Sequence, residues 1–261
     1  MIIDFHNHIW PDKIAPKALG GNIPDMKIFG DGTQKGLLKA QAEAGIDLSV
    51  CLAVANTAAQ LASANKFVGE LDRKHFIPFG TIHPTVTPEE NLQNLRNNNI
   101  KGVKLHPVFQ GFRLDDRALF DTLAALEDEF CVMTHVGDGG GSDGTACTPE
   151  MVAAISKTFP KLNLIACHFG GYHRLDQAAA ALAEVPLIID TSWPPSLSTL
   201  DPEIVRKTIY RQGVERVVFA SDWPTASPAN EVKAIRALGL KEEEENLILG
   251  GNAVRILKLN P

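Results

Sequence analysis

The sequence predicts an α/β protein folded as a single (β/α)8 barrel over residues 1–261, and three observations carry the prediction. Short, wholly apolar runs recur along the chain, each followed by a segment of helical periodicity, which is the pattern of strands buried on both faces of a parallel sheet. Eight such strand and helix units can be counted, the number that a closed parallel barrel needs. No Gly-x-Gly-x-x-Gly turn follows an early strand, so the rival open, doubly wound sheet lacks its dinucleotide-binding fingerprint.

The first strand is the run Ile2-Ile3-Asp4-Phe5, ending in His6-Asn7-His8. Residues 10–32, rich in Pro and Gly, read as a long irregular loop, and a helix follows over 33–44. From there the alternation is unbroken: strand 46–54, helix 57–74, strand 76–83, and helix 88–97 with Pro88 near its start. Strands at 102–106, 130–136 and 162–168 alternate with helices at 116–129, 149–158 and about 173–183. A strand at 187–192, a helix at about 202–212 and a strand at 214–222 complete the count, and helices at 228–238, 241–249 and 252–259 close the chain.

A chain of 261 residues with 44% apolar and 21% charged residues has the composition of an ordinary globular protein, large enough for one barrel domain. Its 25 basic and 31 acidic residues leave a net charge of −6, which gives no footprint for nucleic acid or an anionic membrane and favours a small-molecule substrate. No basic leader with an apolar stretch precedes the first strand, and no apolar run approaches the ~20 residues of a membrane span, so a soluble, cytoplasmic protein is expected. Cys51, Cys131, Cys147 and Cys167 show no paired spacing and read as reduced thiols. Three of them sit in strand-like runs as small hydrophobes, whereas Cys147 lies in a polar loop where it could react, although no base adjoins it. The glycine-rich stretch 137–144 lacks the Lys and Ser/Thr of a phosphate loop and reads as a flexible active-site loop. The acidic run Glu242 to Glu245 suits the first turn of a helix.

The chemistry is concentrated at strand ends. In an extended strand residues i and i+2 share a face, so His6 and His8 aim two imidazoles at one point. His83, His106, His135 and His168 also terminate apolar runs, and only His75 and His173 lie elsewhere. Alternation sends Val103 and Leu105 outward and Lys104 and His106 inward; by the same rule His168 and Asp222 face the interior. Imidazole and carboxylate suit Zn²⁺ and other first-row ions, and three or four such ligands plus water make an open catalytic site. Asp4, one layer below His6, is either support for the ligands or a buried structural carboxylate. Arg113 follows strand 4 and reads either as a clamp for a substrate carboxylate or as a solvated loop residue. Trp10, Phe109, Tyr172, Trp193 and Trp223 follow strand ends and could wall an apolar substrate or simply pack.

The set of His-x-His on strand 1, Lys104 on strand 4, His135 on strand 5, His168 on strand 6 and Asp222 on strand 8 resembles the amidohydrolase superfamily. The wordings Gly-Val-Lys-Leu-His-Pro, Cys-His-Phe-Gly-Gly, Ala-Ser-Asp-Trp-Pro and Gly-Asn-Ala-Val-Arg-Ile-Leu are similar to its amidohydrolase-2 branch, TIM barrels that include aminocarboxymuconate semialdehyde decarboxylase and predicted metal-dependent hydrolases. The resemblance spans essentially the whole chain. It implies one divalent ion, Zn²⁺ ahead of Mn²⁺ or Fe²⁺, held by His6, His8, His135 and Asp222, with His168 beside it. It also implies a mononuclear site, in contrast to members whose strand-4 lysine is carbamylated and bridges two metals. Asp222 would then orient water and take its proton, and His168 would polarise the substrate or protonate the leaving group. Lys104, His106, Arg113, Trp193 and Trp223 are the candidate substrate contacts. The expected reaction is hydrolysis of a small ester, lactone or amide. The alternative is non-oxidative decarboxylation of an unsaturated or aromatic acid, less favoured because the chain is shorter than the branch's known decarboxylases. A catalytically silent barrel is opposed by the filled ligand positions. Barrels of this branch often pair, so a homodimer is a possible assembly.

Overall fold

The computed structural model describes residues 1–20, 28–139 and 145–259. Eight strands form one sheet in sequence order: β1 (Ile3–Asn7), β2 (Leu48–Leu52), β3 (Phe76–Thr81), β4 (Gly102–Leu105), β5 (Cys131–Thr134), β6 (Asn163–Ala166), β7 (Ile188–Asp190) and β8 (Val217–Val218). The pairs β1 with β2, β3 with β4, β4 with β5, β5 with β6 and β7 with β8 are all parallel. The (β/α)8 architecture that the alternation predicts is therefore the one the protein adopts.

The helices are α1 (Ala15–Leu19), α2 (Gln34–Ala44), α3 (Leu61–Gly69), α4 (Pro88–Asn97), α5 (Pro107–Gln110) and α6 (Phe120–Leu126), then α7 (Pro149–Thr158), α8 (Leu175–Leu182), α9 (Pro202–Gln212), α10 (Pro228–Arg236), α11 (Glu242–Asn246) and α12 (Asn252–Leu257). Four of them begin the same way. In α4, α7, α9 and α10 a proline occupies the first turn, where its missing N–H leaves no helical bond unmade. The residue before it, Thr87, Thr148, Asp201 or Ser227, accepts a backbone N–H of that turn through its side-chain oxygen, a cap worth about 1 kcal/mol.

The described residues fall into two compact units. The first consists of Met1–Cys51, Asp72–Ile77 and Ile189–Pro261. Here β1 bonds not only β2 but also the segment that follows β8: Phe5 N–H donates to Phe219 O at 2.9 Å, Asp222 N–H to His6 O at 2.9 Å and His8 N–H to Trp223 O at 2.7 Å. Ile3, Phe5, Val50, Ile189, Val217 and Phe219 are buried in this unit's core, each contributing about 1.5–3 kcal/mol if a Val, Ile or Phe is fully removed from water.

The second unit consists of Leu52–Leu71 and Pro78–Ile188. Its centre is the β4, β5, β6 ladder, which runs in step from Gly102 against Cys131 against Asn163 to Leu105 against Thr134 against Ala166. Buried Val103, Leu105, Val132, Met133, Leu164 and Ile165 pack along it.

Several element boundaries differ from the sequence reading. Residues 214–222 contain only a two-residue strand, because Val214–Arg216 form a 3-10 turn and the Phe219 N–H donates to Ile248 O rather than to a neighbouring strand. Helices expected at 57–74 and 116–129 open with 3-10 turns at Ala58–Gln60 and Arg117–Leu119 and stop at Gly69 and Leu126. The 10–32 segment contains α1, and α5 follows His106; both are too short to show periodicity. The last two helices are joined by a π turn at Leu247–Gly251. There Gly250 passes so close to the chain's first residue that an added Cβ would lie 2.2 Å from the Met1 carbonyl oxygen, so a side chain cannot be accommodated. Residues 140–144 of the glycine-rich stretch lie outside the described residues, and so does the reading of them as an active-site loop. No helix among the described residues is long and apolar enough to cross a membrane.

Candidate metal centre

His6 lies in β1 and His8 just beyond it, and strand alternation puts their rings on one side as the spacing predicts. Their Nε2 atoms are 3.1 Å apart. The backbone bonds that join β1 to residues 219–223 deliver Asp222 to the same point, with Oδ1 3.2 Å from His6 Nε2 and 3.7 Å from His8 Nε2. Asp222 has φ of +62°, in the left-handed region that a non-glycine residue occupies at a cost of order 1–3 kcal/mol. The flanking bonds to His6 and His8 hold the carboxylate in that conformation.

These three atoms form a group in which all lie within 4.8 Å of one another. Four-coordinate Zn²⁺ with bonds of about 2.0–2.1 Å spaces its ligand atoms roughly 3.3 Å apart. Separations of 3.1, 3.2 and 3.7 Å bracket that value, so the donor set fits a divalent cation. His6 and Asp222 are buried, and His8 is 15% exposed at its side chain, which leaves a route to solvent on the His8 side.

Behind His6 stands a carboxylate that the sequence reading passed over. Asp190, the last residue of β7 and wholly buried, places Oδ2 2.8 Å from His6 Nδ1. Its Oδ1 accepts the backbone N–H of Ser192 at 3.1 Å and the Ser192 hydroxyl at 2.7 Å. A signal was available: one acidic residue at the end of an apolar run, the same pattern that singles out Asp222. Asp4 resolves as a structural carboxylate. Its oxygens accept the Ser221 hydroxyl at 2.6 Å, the Ser221 N–H at 2.9 Å and the His6 N–H at 3.2 Å, stapling β1 to the chain after β8. Burial outweighs these bonds and pushes its pKa up to about 7.

In the second unit the strand-end residues of β4, β5 and β6 gather into a cluster of their own. His106 stacks on His135 with ring centroids 4.3 Å apart, and Phe109 stacks on the other side of His106 at 3.9 Å. His135 Nδ1 is 3.0 Å from His168 Nε2, and His135 Nε2 is 2.8 Å from the Asp138 carbonyl oxygen. The backbone closes tightly over that ring, since a Cβ on Gly139 would lie 2.8 Å from His135 Nε2. His168, like Asp222, is a non-glycine residue in the left-handed region, with φ of +58°. Lys104 is wholly buried, and its ammonium donates to Cys167 Sγ at 2.9 Å, so Cys167 is a polar partner rather than the inert hydrophobe expected. Cys147 is corrected in the other direction. It is buried, donates to the His135 carbonyl at 2.6 Å, and burial pushes its thiol up to about 12, which keeps it protonated and unreactive.

The remaining candidates differ in what they touch. The Arg113 guanidinium grips Asp115 at 3.0 Å through both Nε and Nη2 and donates to the Thr145 carbonyl at 2.9 Å. It lines a cavity of about 440 Å³ together with Phe112 and Asp116. Trp193 and Trp223 are buried, 5% and 1% exposed. Trp10 keeps a ring contact with His8 at 6.1 Å and Tyr172 one with His168 at 5.3 Å.

Comparison with known proteins agrees with the family resemblance of the sequence. Residues 3–259 match the family model described as amidohydrolase. The chain is similar in structure to an uncharacterised TIM-barrel protein from Bordetella bronchiseptica, with a TM-score of 0.77, 20% identity and 98% of each chain covered. It is also similar to a dihydroxybenzoic acid decarboxylase from Polaromonas with bound manganese and an inhibitor, at a TM-score of 0.73 and 15% identity, covering 100% of this chain and 97% of that one. A third similar structure, described as a probable 2-pyrone-4,6-dicarboxylic acid hydrolase from Acinetobacter baumannii with citric acid bound, has a TM-score of 0.70 and 17% identity over 99% of each chain. Among curated proteins the sequence has no match.

Proposed function

The chain belongs to the amidohydrolase family, and from that premise we propose that it is a metal-dependent hydrolase that cleaves a small ester, lactone or amide. The observation that carries the reading is the convergence of His6 Nε2, His8 Nε2 and Asp222 Oδ1 within 3.7 Å of one another. These residues would hold one divalent ion, Zn²⁺ by ligand chemistry; the family resemblance adds His135 as a fourth protein donor, a role that requires its Nε2 to give up the Asp138 carbonyl 2.8 Å away. When bound, such an ion supplies Lewis acidity, enough to lower the pKa of water from ~15.7 to ~7.

The chain's own residues supply the rest. Asp222 orients the attacking water and takes its proton on a carboxylate oxygen. His168, whose Nε2 is 3.0 Å from His135 Nδ1, passes a proton to the departing oxygen or nitrogen, a role worth about 10² to 10⁴ in rate. His135 holds His168 through that contact. Four free, buried cysteines are consistent with a reducing compartment and support the cytoplasm as its location.

A second reading, decarboxylation of an unsaturated or aromatic acid at the same ligands, is favoured by the likeness to the Polaromonas decarboxylase. Parallel assays of the Zn²⁺-loaded protein on ester, lactone and amide panels and on carboxylic acids decide between them. Hydrolysis without CO₂ release is the expected result. Release of CO₂ without hydrolysis would replace the first reading by the second.

A further inference from the structure

We propose that Asp190, clasped by Ser192, is a positioning residue that fixes the His6 imidazole in its metal-ligating tautomer; the inference rests on the reading that His6 binds a divalent ion. An ionised carboxylate can only accept hydrogen bonds, so the 2.8 Å contact between Asp190 Oδ2 and His6 Nδ1 requires the proton to sit on Nδ1. In the neutral ring that leaves the lone pair on Nε2, the atom that faces His8 Nε2 at 3.1 Å and Asp222 Oδ1 at 3.2 Å. The opposite tautomer would set the Asp190 carboxylate against a lone pair and direct an N–H into the donor cluster.

Asp190 is itself prevented from turning. Ser192 donates both its backbone N–H and its hydroxyl to Oδ1, which leaves Oδ2 pointed at the ring, and the same hydroxyl oxygen lies 3.3 Å from His6 Nδ1. Asp4 provides the contrast within the same unit. It is equally buried, but its oxygens bond Ser221 and a backbone N–H, so its work is to join chain segments. Asp190 instead directs one oxygen at a ligand ring. A carboxylate behind an imidazole also raises the donor strength of the distal nitrogen, which is how outer-shell acids strengthen metal sites.

The test uses full-length protein and Zn²⁺ alone. In Zn²⁺-loaded wild type, ¹⁵N spectra of the His6 ring should show Nδ1 protonated and Nε2 unprotonated. Asp190→Asn should mix the two tautomers and raise the Kd for Zn²⁺ by about 10- to 100-fold, measured by chelator competition. Ser192→Ala should preserve the tautomer and raise the Kd less. Protonated Nε2 in the wild type would overturn the proposal, as would a folded Asp190→Asn protein with Kd within about threefold of wild type. If Asp190→Asn does not fold, the wild-type spectrum and Ser192→Ala still decide. Wild type that binds no Zn²⁺ yet shows the Nδ1–H tautomer would instead defeat the metal reading and leave the clasp intact.

Discussion

At the scale of single residues, the proposed chemistry divides between groups that would hold the ion and groups that would move protons. Asp222 belongs to both. Asp222→Asn is the informative change, because Asn tolerates the left-handed backbone at φ +62° and keeps an accepting oxygen while losing the ability to take a proton. It should lower kcat by at least ~10² with melting temperature close to wild type, and retained turnover would contradict the proton-accepting role. His168→Gln should lose turnover while the protein still binds one equivalent of metal; loss of the metal as well would make His168 a ligand. The pairing of His6 with His8 was legible because strand alternation leaves little freedom in where residues i and i+2 go, whereas Asp222 lies past the two-residue β8, where that rule no longer applies. Asp190 ends the apolar run Leu187-Ile188-Ile189 much as Asp222 ends another, but no ligand-type residue two positions away marks it as His8 marks His6. Nor could the sequence tell Asp4 from Asp190. Both are buried acids, and only the three-dimensional partner, Ser221 or His6, separates a staple from a ligand support.

At the scale of elements, the helix starts were the most readable feature, since a capping residue followed by proline marks α4, α7, α9 and α10 locally. Strand ends were least readable. β8 is two residues long because a 3-10 turn precedes it and the Phe219 N–H donates to Ile248 O rather than to a neighbouring strand, a non-local event that no window of sequence contains. Helix α10 carries a further consequence. Glu231, 1% exposed, reaches from α10 to accept the Ser196 hydroxyl at 2.7 Å and the Leu197 N–H at 2.8 Å. Burial outweighs both bonds and pushes its pKa up to about 7. Since the unfolded side chain titrates at the ordinary glutamate value of 4.5, the folded state binds the proton more tightly. Stability is then greatest below about pH 4.5, falls as pH rises toward 7, and levels off above it, a change of order 3 kcal/mol from this group. Asp4, also pushed to about 7, adds to the trend with the same sign. Glu231→Gln should be more stable than wild type at pH 8 and show a shallower decline between pH 5 and 7 in denaturant melts. An unchanged slope would show that Glu231 titrates normally.

At the scale of the whole molecule, the eight-stranded parallel order follows from a hydrophobic rhythm that runs the length of the chain, and for that reason the fold was the most legible property of all. The reaction is the least legible. Similar structures carry the names of both a decarboxylase and a hydrolase, so the fold they share with this chain does not select between the two reactions. The central claim is that His6, His8 and Asp222 hold a divalent ion on which turnover depends. Metal content of the full-length protein after Zn²⁺ loading and desalting, compared with folded His8→Ala, tests it most directly. The account predicts one equivalent in wild type and less than about a tenth of that in the variant, because removing one of few ligands from an open site abolishes tight binding. Equal metal in both proteins, or none in wild type, would contradict it.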